Sequence, residues 1–112
     1  MIFTIDTTSD FILTTDYYPT DTWEWLILKN TDNSAIIGVF SSSYDKLSYF
    51  GITYLGYNAW RNITIKLENS TLTFKYGGTT VTKDVSQYLC ILWNVIVNRA
   101  NTRFKNLKLK RL

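Results

Sequence analysis

The chain contains no histidine, one cysteine, one proline and two glutamates. Without histidine there is no imidazole acid–base chemistry, no Ser–His or Cys–His pair and no His-ligated zinc. A single cysteine excludes an intrachain disulfide and a cysteine-rich metal site. Cys90 sits in the run Leu89-Cys90-Ile91-Leu92-Trp93. It reads as a small buried hydrophobe, because a reactive thiolate needs an electropositive, partly exposed setting. No run approaches the ~18 apolar residues of a membrane span. Met1-Ile2-Phe3-Thr4-Ile5-Asp6 has neither a basic n-region nor an apolar h-region, so no signal peptide is read there. The chain is thus expected to stay where it is made or to be a domain excised from a larger protein.

Good helix formers are also scarce, with three alanines and two glutamates against 16 threonines, nine asparagines and eight serines. Thr loses rotamer freedom in a helix, and Asn and Ser compete for backbone partners there. With 18 aromatic residues the balance favours sheet. At 112 residues the chain is expected to form one domain over residues 1–112, large enough for a core without disulfides or metals.

Charge is unevenly placed. Residues 1–50 hold two lysines against six aspartates and one glutamate, a net −5, and the remainder a net +8. If strands from the two halves pair, the asymmetry becomes internal complementarity rather than a binding signal. The basic end, Arg99, Arg103, Lys105, Lys108, Lys110 and Arg111, has only Phe104 as a stacking ring. It reads as a lysine-protected edge strand, and nucleic acid is not an expected partner.

Period-two alternation recurs along the chain. Ile63, Ile65 and Leu67 alternate with Thr64, Lys66 and Glu68; after Asn69-Ser70, Leu72, Phe74 and Tyr76 alternate with Thr71, Thr73 and Lys75. Gly77-Gly78 supplies positive-φ positions for a second reversal into Thr79–Lys83. Residues 61–83 therefore predict a three-stranded meander. Further strands are expected over Asp10–Thr15, Trp23–Lys29, Ala35–Phe40, Lys46–Tyr54, Tyr88–Trp93 and Phe104–Leu112. Trp23–Lys29 is apolar on both parities, as in a strand covered on both faces. Turn chemistry marks Tyr17–Asp21, Asn30–Ser34 and Ser41–Asp45. About nine short strands with polar turns predict an all-β, two-sheet antiparallel sandwich.

Residues 59–78, Ala-Trp-Arg-Asn-Ile-Thr-Ile-Lys-Leu-Glu-Asn-Ser-Thr-Leu-Thr-Phe-Lys-Tyr-Gly-Gly, open a strand with Trp60, turn on polar residues, return to an aromatic and turn again on glycine. This resembles the meander of concanavalin A-like lectin, glucanase and laminin-G-like jelly rolls. Phe104-Lys105-Asn106-Leu107-Lys108-Leu109 is similar to their last strand. The resemblance implies a jelly-roll sandwich, with that strand beside the first, Ile2–Ile5. It further implies a non-catalytic carbohydrate-recognition or adhesion module of a cell-surface or virus tail protein. Such a module is extracellular or on a cell or virion surface, takes a glycan or cell-surface polysaccharide as partner, and oligomerises through its parent protein. The glucanase array of acidic residues is absent, and Glu24 and Glu68 lie far apart in sequence. The alternative is a purely structural assembly domain without a ligand.

Glycoside hydrolysis needs two carboxylates ~5–10 Å apart across the bond. Asp16 and Asp21 flank a turn, where short-spaced aspartates cap backbone amides. No enzyme activity and no cofactor are therefore expected. Calcium needs about six convergent oxygens, and Asp32-Asn33-Ser34 with Asp45 falls short of such a set. The aromatics are the richest feature. Tyr44, Tyr49, Tyr54 and Tyr57 cluster with Asp45 and Asn58, and Trp23 stands apart as a further candidate. Exposed rings can stack on sugar C–H faces while Asp and Asn read hydroxyls. Core filling is the competing reading of these tyrosines, and it is the preferred one for Trp25, Trp60, Phe74, Tyr76 and Trp93. Asn62-Ile63-Thr64 and Asn69-Ser70-Thr71 match the glycosylation sequon.

Overall fold

The computed structural model describes residues 3–30, 35–40, 52–89 and 92–112. Tyr44, Asp45, Tyr49 and Cys90 lie outside the described residues, as do residues 31–34 and the expected turn and strand over 41–51. The described chain is an all-β sandwich of two five-stranded, mostly antiparallel sheets. In chain order the strands are β1 (Phe3–Asp6), β2 (Phe11–Tyr18), β3 (Leu26–Asn30), β4 (Ala35–Phe40), β5 (Ile52–Thr53), β6 (Arg61–Glu68), β7 (Thr71–Tyr76), β8 (Thr79–Asp84), β9 (Leu92–Val97) and β10 (Arg103–Arg111). One sheet has the order β1-β9-β3-β4-β5, and the other β10-β2-β6-β7-β8.

The meander is β6-β7-β8. Leu67 pairs with Leu72 and Phe74 with Val81, so the residues that alternate in sequence share one buried face. Its first turn takes Asn69 and Ser70 through φ of 51° and 65°. That is the mirror-image turn whose twist matches the flanking strands, and it demands positive φ at both central positions. At the second turn only Gly77 is positive, with φ 58°, and Gly78 is not. A side chain at Gly77 would also meet Leu55 Cδ1 at 2.6 Å.

Phe11, Leu13, Thr15 and Tyr17 of β2 face inward, and Phe11, Leu13 and Tyr17 share one core with Trp93 and Val95 of β9. Phe11 and Trp93 join the two sheets edge to face, with centroids 6.4 Å apart. The Trp93 indole donates to the Tyr88 carbonyl at 3.0 Å, so the largest core side chain leaves no polar atom unpaired. Each such ring, fully buried, contributes roughly 1.5–3 kcal/mol. The strand expected from Trp23 begins only at Leu26, with Trp23 exposed in the preceding turn; from there β3 is covered on both faces, Leu26 and Leu28 facing the core and Ile27 on the other parity also buried. Lys83 crosses between sheets to donate to the Ile36 carbonyl at 2.8 Å.

Further sequence expectations change. β2 runs through Tyr17 and Tyr18, which therefore belong to a strand and not to the turn. Tyr88 closes a single 3₁₀ turn, Ser86–Tyr88, and the strand begins only at Leu92; an apolar run without period does not fix where a strand starts. The last strand pairs with β2, and β1 pairs with β9. Trp60 is outside the core, 40% exposed, and Trp25 is half-buried, whereas Phe74, Tyr76 and Trp93 are core residues. The acidic and basic halves do pair: β10 lies along β2, and β9 along β1 and β3.

Candidate functional site

Parity sorts the side chains of the β10-β2-β6 face. Ile63, Ile65 and Leu67 point inward, so Trp60, Asn62, Thr64 and Lys66 take the outer face. On β2 the outer set is Ile12, Thr14, Asp16 and Tyr18, and register brings Asn62 beside Asp16. On β10, Arg103 lies opposite Tyr18 and Lys105 opposite Asp16. Two rows result at one end of the sheet. The first carries Arg103, Tyr18 and Trp60, and the second Lys105, Asp16 and Asn62.

The rows are locked by contacts between side chains. The Trp60 and Tyr18 rings lie 5.1 Å apart, tilted by 59°. The Arg103 guanidinium sits 4.5 Å from the Tyr18 centroid, and Lys105 Nζ 4.0 Å from that of Trp60. Cations over ring faces are attracted by the ring quadrupole. Asp16 accepts from Asn106 Nδ2 at 2.8 Å and from Asn62 Nδ2 at 3.3 Å. Asn106 reaches it because β10 is irregular between Lys105 and Lys108, with Asn106 at φ 56°. These bonds, first from Asn106 and then from Asn62, hold the Asp16 carboxyl below the ordinary aspartate range. Two donors leave acceptor capacity on this carboxylate.

Three segments meet at the same end: residues 19–25, 54–60 and 98–102. Asn58 N donates to the Pro19 carbonyl at 3.0 Å, and the Tyr54 hydroxyl to the Asp21 carbonyl at 2.7 Å. Trp25 N donates to Asn98 Oδ1 at 2.9 Å, and Asn98 Nδ2 to the Trp23 carbonyl at 3.1 Å. Arg99 pairs with Asp21 at 3.3 Å. Beneath them Glu24 is fully buried. It accepts from the Tyr17 hydroxyl at 2.5 Å and from the Thr102 hydroxyl, and Thr20 N lies 3.5 Å away. Burial, followed by the bond to Glu24, pushes the Tyr17 phenol far above the ordinary tyrosine range. Desolvation likewise raises Tyr54.

Of the expected site residues, Tyr57 and Trp23 are exposed at 47% and 56%, and Asn58 is exposed beside them. Tyr54 is half-buried, packs against the core and has its hydroxyl engaged. Asp21 caps the Trp23 amide as its turn position predicts, at 2.8 Å. Asp16 does not cap an amide; it lies within β2 and is bonded by side chains of neighbouring strands. The Trp60–Tyr18 pair, Asn62, Asn106 and Glu24 are absent from the expected set. For Trp60 the signal was available, because it shares parity with Asn62 and Thr64 rather than with Ile63. Asn62 and Asn69, the sequon asparagines, are both exposed. Comparison with family models, with curated proteins and with solved structures returns no match.

Proposed function

We propose that this domain is a non-catalytic carbohydrate-recognition or adhesion module, acting within a larger protein at a cell or virion surface, and that it holds its glycan at the end carrying Trp60. The observation that supports the reading is the placement of Trp60. An exposed indole stands on a polar strand face, next to a second ring and a row of carboxylate and amide groups. Sugar rings offer an apolar C–H face to such an indole and hydroxyls to the groups beside it. Asp16 accepts from hydroxyls, Asn62 and Asn106 keep it ionised and aimed, and Arg103 donates. Trp23, Tyr57 and Asn58 extend the same end toward a longer ligand.

Glu24 is spent on structure. It is buried and shared among Tyr17, Thr102 and Thr20, so it fixes the loops from below and does not face a ligand. A shallow platform of this kind binds weakly as a single copy and gains from repetition in a parent assembly. The test is binding of the wild-type chain and of Trp60→Ala to an array of glycans. Retention that depends on Trp60 supports the reading, and equal retention, or none for the wild type, overturns it.

A further inference from the structure

The outermost strand of one sheet has an edge that its charges protect on one side only. β10 pairs with β2, and no described strand lies along its other edge. Register divides its side chains. Lys108 and Lys110 stand opposite Thr14 and Ile12 on the outer face, and Leu109 stands opposite Leu13 on the core-facing side. Leu13 is 2% exposed, yet Leu109 is 49% exposed, and Leu107, two residues before it on the strand, is 51% exposed. The core-facing side of β10 thus overhangs the sandwich and leaves its leucines open.

The cations along this strand differ in what they touch. Arg103 and Lys105 lie on rings, and Arg111 donates to the Asp6 and Ser9 carbonyls at 2.7 and 3.1 Å. Lys108 and Lys110 have no ion-pair or ring partner among the described residues. Lys108-Leu109-Lys110 therefore presents charge, apolar surface and charge beside an open strand edge. Lysines on an edge deter unselective pairing. They also refuse a second copy of β10, because antiparallel self-pairing sets basic rows against each other, and like charges across strands are destabilising. An extended segment with acidic and apolar residues in alternation meets both requirements. Its carboxylates fall on the lysine side and its apolar side chains on the leucine side, while its backbone continues the sheet.

We propose that the free edge of β10 over Lys108–Arg111 takes up, by strand addition, an extended segment of a partner protein in which acidic and apolar residues alternate. This rests on the strand edge alone and is independent of glycan binding.

The test titrates the isotopically labelled full chain with a seven-residue peptide alternating glutamate and valine, followed by amide NMR. Matched peptides replace glutamate with lysine, or two valines with proline. Binding of the acidic peptide, with shifts confined to β10 and β2, is expected, and neither control peptide should bind. The double variant Lys108→Glu/Lys110→Glu should bind about tenfold more weakly, as reversal of two cross-strand charge pairs implies. Leu109→Ser should also weaken binding, and the near-ultraviolet circular dichroism of the packed aromatic residues reports whether each variant is folded. Equal affinity of the double variant, equal affinity for the proline peptide, or no binding of the acidic peptide overturns the proposal. So does dimerisation of the free chain through β10.

Discussion

Trp60 and Tyr18 hold their rings 5.1 Å apart on the outer face of the sheet, each with a cation from β10 against it. The contact exists because β2 continues to Tyr18 and β6 begins at Arg61, which pairs with Tyr17, so Tyr18 and Trp60, the residue just before β6, face outward together. Two bulky rings are thereby kept out of the interior. Tyr17 meanwhile turns inward and stacks on Phe104 at 5.5 Å.

Glu24 is the tie between the loops at this end. Glu24→Ala leaves the buried Tyr17 hydroxyl without its acceptor, which costs about 1–3 kcal/mol. Urea unfolding should show a lower midpoint at unchanged slope. Unchanged stability would show that the buried network contributes nothing.

Gly38 has no room for a side chain. A Cβ there would lie 2.8 Å from the Leu26 carbonyl and 2.9 Å from the Phe40 ring, so the clash is partly with backbone. Gly38→Ala should destabilise by about 1–3 kcal/mol, the usual penalty of overpacking, and thermal unfolding measures it.

Ser70 is held in the left-handed region at φ 65°, where an L side chain is strained. Ser70→Gly, giving Asn-Gly at the turn, should stabilise the domain by roughly 0.5–1 kcal/mol. A loss of stability on denaturant unfolding would mean that the turn adopts another form in solution.

Asp16 carries a pH dependence with a defined sign. Its folded-state carboxyl titrates below the ordinary value, first through Asn106 and then through Asn62. The stability it contributes is present above the ordinary aspartate pKa and is lost as pH falls through the lowered one. Carboxyl-detected NMR should find the Asp16 midpoint below that of a free aspartate, and Asn106→Ala should move it upward.

Much of this architecture is legible in the residues. The alternation of Ile63 through Tyr76 fixes which face of the meander is buried, and Asn69-Ser70 marks its turn. Partner choice between distant strands is another matter. Nothing local says that β10 lies beside β2 and not β1, since both offer similar alternation and the preference comes from long-range packing. For Trp60 aromatic bulk suggests a core position, although its parity with Asn62 points outward, where the indole is found. Asp16 reads as flanking a turn that begins at Tyr17, whereas the strand persists to Tyr18 before Pro19 ends it. The site itself is assembled from β2, β6 and β10, so no single stretch of sequence displays it.

Glycan binding by the wild-type chain and by Trp60→Ala, compared side by side on one array with both proteins shown to be folded, tests the central claim most directly. The account predicts a defined glycan signal for the wild type that falls at least tenfold when the indole is removed, as loss of ring stacking worth about 1.4 kcal/mol implies. Identical signals from the two proteins, or a wild type that binds no glycan, would contradict it.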